Sequence, residues 1–239
     1  IEEREPSIQI KPHIFIDGGI HAREWVSPAT VLYFVDQDRL WRKNRNPHQR
    51  CTGVDLNRNF EYQWDPRIGG STNPCSDVFS GSTFLSEAES SSLKTYLQGF
   101  DNTEQSSMIA YLTIHSYGQM WLYPWGYTSA LPTDWPDLDA AAKTACDALQ
   151  SVNGKNYVIG SSTNVLYSAA GGSDDHAKGI HKIKYSYTLE LRDTGTYGFQ
   201  LPENQILQTA EETWTGVQAF AAYLANNHCA NSNNECIWQ

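Results

Sequence analysis

The sequence predicts an α/β fold: a mixed, mostly parallel twisted sheet with helices on both faces, in a single domain over residues 1–239. Three observations carry this. Short apolar runs that read as strands alternate with longer stretches of helical periodicity. A chain of 239 residues can build one domain with a sizeable core and has no need of a second. His21 with Glu24, His115 and Glu190 each fall at or just past the C-terminal end of a predicted strand, where open α/β sheets bind their ligands.

Hydrophobic residues make up 40% and charged residues 18%, which excludes a disordered chain. The formal net charge of −10 argues against nucleic acid or an acidic membrane as partner. No apolar run is long enough to span a bilayer. The start, Ile1-Glu-Glu-Arg-Glu5, is not a signal peptide and reads as the middle of a longer chain, so a secretion signal would lie upstream. Of five cysteines, Cys51 and Cys75 flank one polar loop and Cys229 and Cys236 flank the tail. Two local bridges with Cys146 left on an apolar helical face would imply an oxidising compartment. Five reduced thiols in a cytosolic enzyme is the alternative, since spacing does not give connectivity.

Taken in order, residues 1–12 form a polar loop leading into a short buried strand, Ile14–Ile16, which Gly18-Gly19 ends in a sharp turn. His21 and Glu24 follow, three residues apart, on one tight turn from which an imidazole and a carboxylate can converge on a cation such as Zn²⁺. Trp25–Phe34 reads as a helix. Between Asp38 and Arg45, four cations fall within seven residues, and Asp55-Leu-Asn-Arg-Asn59 follows closely. Two such clusters in an acidic protein favour an oxyanion or carboxylate site over a solvated face. Residues 60–85 read as loop.

Ser86-x-x-Glu89 is a capping box opening a helix to about Gln98, stopped by Gly99. Met108–Ile114 is a strand running into His115-Ser-Tyr117-Gly118, and Trp121–Tyr127 is an aromatic loop suited to walling a pocket. Asp134 caps a helix of Ala and Leu that Gly154 ends. Residues 156–169 are mixed, with Tyr167 near their end, and Gly171–His176 turns into a short helix. Ile183–Leu191 is a strand of alternating character with Glu190 near its end. Pro202 starts the last long helix, whose apolar face is marked by Ile206, Ala210, Trp214, Val217 and Leu224.

His21-Ala-Arg-Glu24, Arg39-Leu-Trp-Arg-Lys43, Asp55-Leu-Asn-Arg-Asn59, His115-Ser-Tyr117, Gly171-Gly-Ser-Asp174 and Leu189-Glu-Leu-Arg-Asp-Thr-Gly195 occur in that order. Together they resemble the digestive metallocarboxypeptidases of the carboxypeptidase A/B family, over nearly the whole chain. The resemblance implies a zinc exopeptidase with one zinc per chain, held by His21, Glu24 and His115, with water in the open fourth position. It implies Glu190 as general base and then proton donor to the leaving amine. The plain alternative for Glu190 is a buried carboxylate paired with Arg192. By the same likeness Arg42 stabilises the oxyanion, and Asn57, Arg58 and Tyr167 hold the substrate's terminal carboxylate, Arg58 by a bidentate fork. Arg23 and Tyr117 join the substrate-binding set, and Asp55 orients a zinc histidine from behind.

Asp174 aligns with the base of the side-chain pocket, apolar in A-type enzymes and Asp in B-type ones. The expectation is therefore a B-type preference for C-terminal Lys or Arg, with polar Ser162 also lining the pocket. The alternatives are that Asp174 is a helix N-cap while Asp175 faces inward, that the enzyme is A-type, or that it is a non-catalytic peptide-binding form. Peptide C-termini are the expected substrate, a pro-segment and protein inhibitors the expected partners, and the chain a secreted monomer of the digestive lumen. Two departures from the family are expected. Its first strand and helix have no counterpart in this sequence, and Val35-Asp36-Gln37 joins Phe34 directly to the Arg-Leu-Trp-Arg run where the family carries several dozen residues, as either a gapped chain written continuously or a genuinely shortened form. Loss of that interior strand would expose sheet edge and puts the position of Arg42 in question.

Overall fold

The computed structural model of the protein describes residues 13–18, 21, 39–47, 50–101 and 108–229. Arg23, Glu24, the Trp25–Phe34 helix, the Val35–Gln37 junction and Cys236 lie outside the described residues. Five strands form one mixed sheet: β1 (His13–Gly18), β2 (Met108–Ser116), β3 (Met120–Tyr123), β4 (Val158–Ser161) and β5 (Tyr185–Leu191). Their order across the sheet is β1-β2-β5-β3-β4. All neighbouring pairs are parallel except β3 with β5. This is the mixed, mostly parallel sheet that the sequence predicts, with β3 cut from the front of what reads as an aromatic loop. Trp121 is accordingly a core residue rather than a pocket wall.

The period-2 alternation of β2 and β5 divides the sheet into two faces. Ala110 and Leu112 of β2 join Tyr185, Tyr187 and Leu189 of β5 in the main core, beneath α2 (Trp135–Asn153) and α5 (Ile206–Leu224). The opposite face carries Tyr111 and a smaller cluster with Leu97 of α1 (Ala88–Gln98) and Ala177 of α4 (Ser173–Gly179). A one-turn helix, α3 (Ser162–Val165), links β4 to that side. Full burial of each large core side chain stabilises by roughly 1.5–3 kcal/mol relative to exposure. Leu138, Ala141, Ala142, Ala145, Cys146 and Leu149 give α2 its buried stripe at helical spacing. Gly216 lets α5 come close, since a Cβ there would stand 3.1 Å from the Ala145 carbonyl oxygen.

Three local readings are corrected. The Ser86–Glu89 capping box does not form: α1 starts one residue after Glu87, and the Ser86 hydroxyl donates to Glu87 and stands 3.1 Å from Asn59 Nδ2. Asp134 is positioned as the α2 cap but makes no capping bond, because its carboxylate takes Lys178 at 2.8 Å instead. On α5, Val217 and Leu224 face the core, whereas Ile206, Ala210 and Trp214 point outward and Thr209, Glu212 and Thr213 point in. The cause is Arg192, buried just past β5. Its Nε donates to Glu212 Oε1 at 2.7 Å, its Nη2 to Glu212 Oε2, and its Nη1 to the side-chain oxygens of Gln205 and Gln208. A buried guanidinium must be paired, and that requirement turns the first half of the helix. Cys51–Cys75 forms a disulfide, Cys146 is a buried free thiol, and the Cys229–Cys236 bridge falls outside the described residues.

Replacing Glu212 by Ala leaves Arg192 buried without its carboxylate and is expected to cost about 3–5 kcal/mol of stability, read as a drop in urea midpoint. A Trp214→Ala change on the exposed face should cost well under half of that.

Candidate active site

The parallel strands β1, β2 and β5 end side by side, with His115 in register with Glu190. His115 therefore stands at the end of β2, Glu190 at the end of β5, and His21 three residues beyond β1. Both imidazoles are buried, with ring centroids 5.0 Å apart. Their Nδ1 atoms lie 3.3 Å apart. The outer nitrogens are engaged elsewhere, His21 Nε2 with Asp55 Oδ1 at 3.1 Å and His115 Nε2 with Thr113 Oγ1 at 3.0 Å. Two nitrogens at about 2.0–2.1 Å from one tetrahedral zinc would stand about 3.3–3.4 Å apart. The pair fits such an ion, and an engaged outer nitrogen is what fixes the tautomer of a metal-binding histidine. The third expected ligand, Glu24, lies outside the described residues.

Asp55 is wholly buried and does more than face His21. Arg42 donates to its Oδ2 through Nε at 2.9 Å and pairs through Nη2 at 2.8 Å, and the Asn57 backbone N–H donates to Oδ1. Burial pushes the Asp55 carboxyl up, but Arg42, Arg58 and the His21 bond outweigh it and hold the group well below the usual carboxylate range. Of the cation run at 39–45, only Arg42 reaches the site. Lys43 donates to the Pro74 carbonyl, Arg39 to the Phe199 carbonyl, and Arg45 stacks on Trp41.

A cavity of about 490 Å³ is lined by His21, Arg42, Asn57, Arg58, His115, Tyr117, Tyr167, Asp174 and Glu190, among others. Arg58 is buried; its Nε donates to the Gly69 carbonyl and one Nη1 hydrogen to the Asn57 carbonyl. The Nε–H side is thus engaged, and the Nη1/Nη2 end is the edge that could meet a ligand. Asn57 Oδ1 accepts from the Ser173 N–H, so its amide nitrogen is the end that can donate to a ligand. Tyr167 is about half exposed, with Arg58 5.8 Å from its ring centre. Tyr117 is partly exposed and packs edge-on against Phe199. Arg192, the alternative partner of Glu190, is taken by Glu212.

Asp174 is buried and lines the cavity, and it is not an N-cap, since Gly172 holds that position. Burial raises its affinity for a proton, which Thr188 and backbone bonds offset in part. Asp175 also faces inward, but toward backbone N–H groups of the 126–127 segment. Ser162 lines the cavity as expected. Sequence reading missed Thr113 behind His115 and the lining residues Leu166, Ala169, Thr188, Thr194 and Phe199. The signal for Thr113 and Thr188 was their position two residues before His115 and Glu190 on the same strand face.

Comparison with known proteins decides the family. A family model described as zinc carboxypeptidase matches residues 2–38 and 35–216. This chain belongs to the zinc carboxypeptidases. As a metallocarboxypeptidase of this family it takes one zinc per chain. Carboxypeptidase B of Astacus astacus is 46% identical over 255 residues, spanning 91% of this chain and 82% of that protein. Carboxypeptidase B of Bos taurus is 40% identical over 90% of this chain, and carboxypeptidase A2 of Mus musculus 37% over 91%. This chain spans only 59% and 60% of the lengths of those two mammalian proteins. Bovine thrombin-activatable fibrinolysis inhibitor, solved in complex with tick carboxypeptidase inhibitor, superposes with a TM-score of 0.82 at 35% identity, covering 91% of this chain and 83% of that one. Carboxypeptidase A from Helicoverpa armigera gives 0.80 at 29%, covering 93% and 63%. The two family-model segments meet at residues 35–38, and the 255 aligned positions exceed the 239 residues of this chain, so the crayfish protein carries interior residues that this chain does not.

Asp55→Asn should weaken zinc binding by about 10–100-fold, measured by competition with a chromogenic chelator, while a surface change such as Asp147→Asn leaves it unmoved. A second expectation concerns acid. Asp193 accepts from the N–H groups of Gly195, Tyr197 and Gly198 and so holds the segment that carries Thr194 and Phe199. Burial pushes this carboxyl up, and the three backbone bonds outweigh it and leave it lowered. A lowered carboxyl stabilises the fold above its unfolded pKa of about 3.9 and ceases to do so as pH falls through the folded value. The melting-temperature gap between wild type and Asp193→Asn should therefore be full at pH 5–7 and shrink progressively as pH falls below about 3.9.

Proposed function

We propose that this chain is a secreted exopeptidase that removes the C-terminal residue of peptides and prefers Lys or Arg there, as one shortened catalytic domain over residues 1–239. The observation that carries the preference is Asp174, a buried carboxylate in the cavity wall with no Lys or Arg among the described residues bonded to it. An incoming cationic side chain pairs with that carboxylate, whereas an aliphatic one leaves it buried and uncompensated. Relatives named carboxypeptidase B support the reading. The Cys51–Cys75 disulfide supports an oxidising compartment, and among the described residues no helix is long and apolar enough to cross a membrane.

His21, Glu24 and His115 would hold the zinc, the two imidazoles turning their Nδ1 atoms toward each other. When bound, it supplies Lewis-acid activation of a water at a pH near 7. Glu190, in register beside His115, accepts the proton of the attacking water and passes it to the departing amine. Arg42, kept in place by Asp55, faces the oxyanion of the tetrahedral intermediate. The Nη1/Nη2 end of Arg58 and the amide of Asn57 take the terminal carboxylate, with Tyr167 beside them and Tyr117 and Arg23 as further contacts. A peptide without a free carboxylate leaves Arg58 buried without an anion, and this makes the enzyme an exopeptidase. A pro-segment and protein inhibitors are expected partners, the latter because the bovine neighbour was solved with a tick carboxypeptidase inhibitor, and the enzyme is expected to act as a monomer.

Hydrolysis of matched peptides ending in Arg, Phe and Glu tests this. Wild type should favour Arg, and Asp174→Ile should shift kcat/KM from Arg toward Phe by roughly two orders of magnitude, since losing one partner of a buried charge pair costs about 2–5 kcal/mol. A wild-type preference for Phe would make the enzyme A-type. Glu190→Gln should lower kcat by about 10²–10⁴ with KM little changed; turnover close to wild type would remove Glu190 from its role.

A further inference from the structure

Asp175 is wholly buried, is not among the residues that line the cavity, and has no part in the mechanism above. Its carboxylate is used up on the protein's own backbone. The Gly126 N–H donates to both oxygens, at 2.9 and 3.0 Å, and the Tyr127 N–H donates to Oδ2 at 3.1 Å. These two N–H groups belong to the segment that follows β3, and Gly126 itself lines the cavity. The Gly126 carbonyl is held as firmly from the other side, by the Ala169 N–H at 2.7 Å and by the Thr163 hydroxyl. No bulkier residue fits at that point, because a Cβ on Gly126 would stand 2.8 Å from the Ala169 carbonyl oxygen and 3.4 Å from Asp175 Oδ2. One peptide unit is thus clamped between α4, which carries Asp174, and the 163–169 segment, which supplies Leu166, Tyr167 and Ala169 to the same cavity.

Burial and the neighbouring Asp174 both push the Asp175 carboxyl up, and only the Gly126 and Tyr127 N–H groups oppose them. A carboxylate kept in so unfavourable a place, with no cation among the described residues bonded to it, needs a reason other than the fold of α4. An apolar side chain would serve the packing of that helix as well, but it would leave two N–H groups of the cavity wall without acceptors.

We propose that Asp175 is a positioning residue for substrate specificity: by pinning the Gly126–Tyr127 backbone to the helix that bears Asp174, it sets the wall against which the substrate's C-terminal side chain packs. The inference rests on the exopeptidase reading of the cavity but not on the choice between basic and apolar side chains. It separates Asp175 from the zinc-binding and proton-transferring groups, so its loss should be felt by substrates that fill the pocket and not by substrates that do not.

The test is steady-state kinetics on peptides alike except for a C-terminal Arg, Phe or Ala, with zinc content measured on the same samples. Asp175→Ala should raise KM about tenfold or more for the Arg and Phe peptides through the two unsatisfied N–H groups. It should leave kcat on them, the kinetics of the Ala peptide and the zinc stoichiometry as in wild type. Asp175→Asn, which keeps one acceptor oxygen, should recover part of the loss in the same pattern. Unchanged KM on the Arg and Phe peptides overturns the proposal, and so does an equal loss on all three peptides or a loss of zinc, which would mark a purely structural role. Should Asp175→Ala not fold, Asp175→Asn alone decides, with a several-fold rise confined to the Arg and Phe peptides expected and a uniform or absent effect overturning it. A wild-type enzyme that prefers Phe to Arg would end the basic-residue reading, while the contrast of both with Ala would still report on Asp175.

Discussion

The Asp55 carboxylate is the interaction on which the site depends. One oxygen faces His21 and accepts the Asn57 N–H, and the other takes the Arg42 guanidinium. The imidazole proposed as a zinc ligand, the cation proposed for the oxyanion and the turn that presents Asn57 and Arg58 are therefore fixed to one buried group. The arrangement is self-consistent only while that group is ionised, and Arg42 and Arg58 keep it so despite its burial. An ionised Asp55 also draws the His21 proton to Nε2, so that Nδ1, which faces His115 Nδ1, is the nitrogen a metal would meet. Thr113 meets the outer nitrogen of His115 in the same manner, with a hydroxyl in place of a charge.

The sheet explains why these groups meet. On β5 the residues facing α2 and α5 are Tyr185, Tyr187 and Leu189, which belong to the main core. The alternate residues are Ser186, whose hydroxyl bonds the Asp174 carbonyl, Thr188, which lines the cavity, and Glu190. On β2 the same face carries Thr113 and His115. Two adjacent central strands thus spend one face wholly on hydrophobic burial and the other on a polar row that grows more functional toward the strand ends. Parallel pairing of β1 with β2 brings their ends together as well, which is how His21, just beyond β1, and His115, 94 positions apart, come within 3.3 Å.

The parts of this arrangement that were legible in the sequence are those written by strand periodicity and by turn residues. The ends of β2 and β5, and Gly154 ending α2 in the left-handed region, follow from local pattern alone. What local pattern could not show is where a buried charge finds its partner. The α5 face was misread because Arg192 turns Glu212 inward, and the α1 capping box because Ser86 and Glu87 are drawn into contacts with Asn59 and Asn44. Each is a tertiary hydrogen bond overriding a local preference. Asp175 was read as a possible inward carboxylate, but its partners, two backbone N–H groups 48 and 49 residues away, leave no trace in residue types.

The shortened junction at 35–38 bears on the same question of what fixes a residue. Arg42 would be at risk if its position were inherited from the chain before it. Among the described residues the bonds run the other way. Asn44 pairs with Val54 and Asn46 with Gly53 through the backbone, and the side chains of Asn44 and Asn46 both donate to Glu87. Lys43 reaches the Pro74 carbonyl beside Cys75, which is itself bridged to Cys51. The segment bearing Arg42 is thus tied to residues that follow it, from 51 to 87, and Asp55 lies within that same stretch. A deletion upstream of residue 38 removes none of these bonds, so the described pairing of Arg42 with its carboxylate anchor Asp55 does not depend on it.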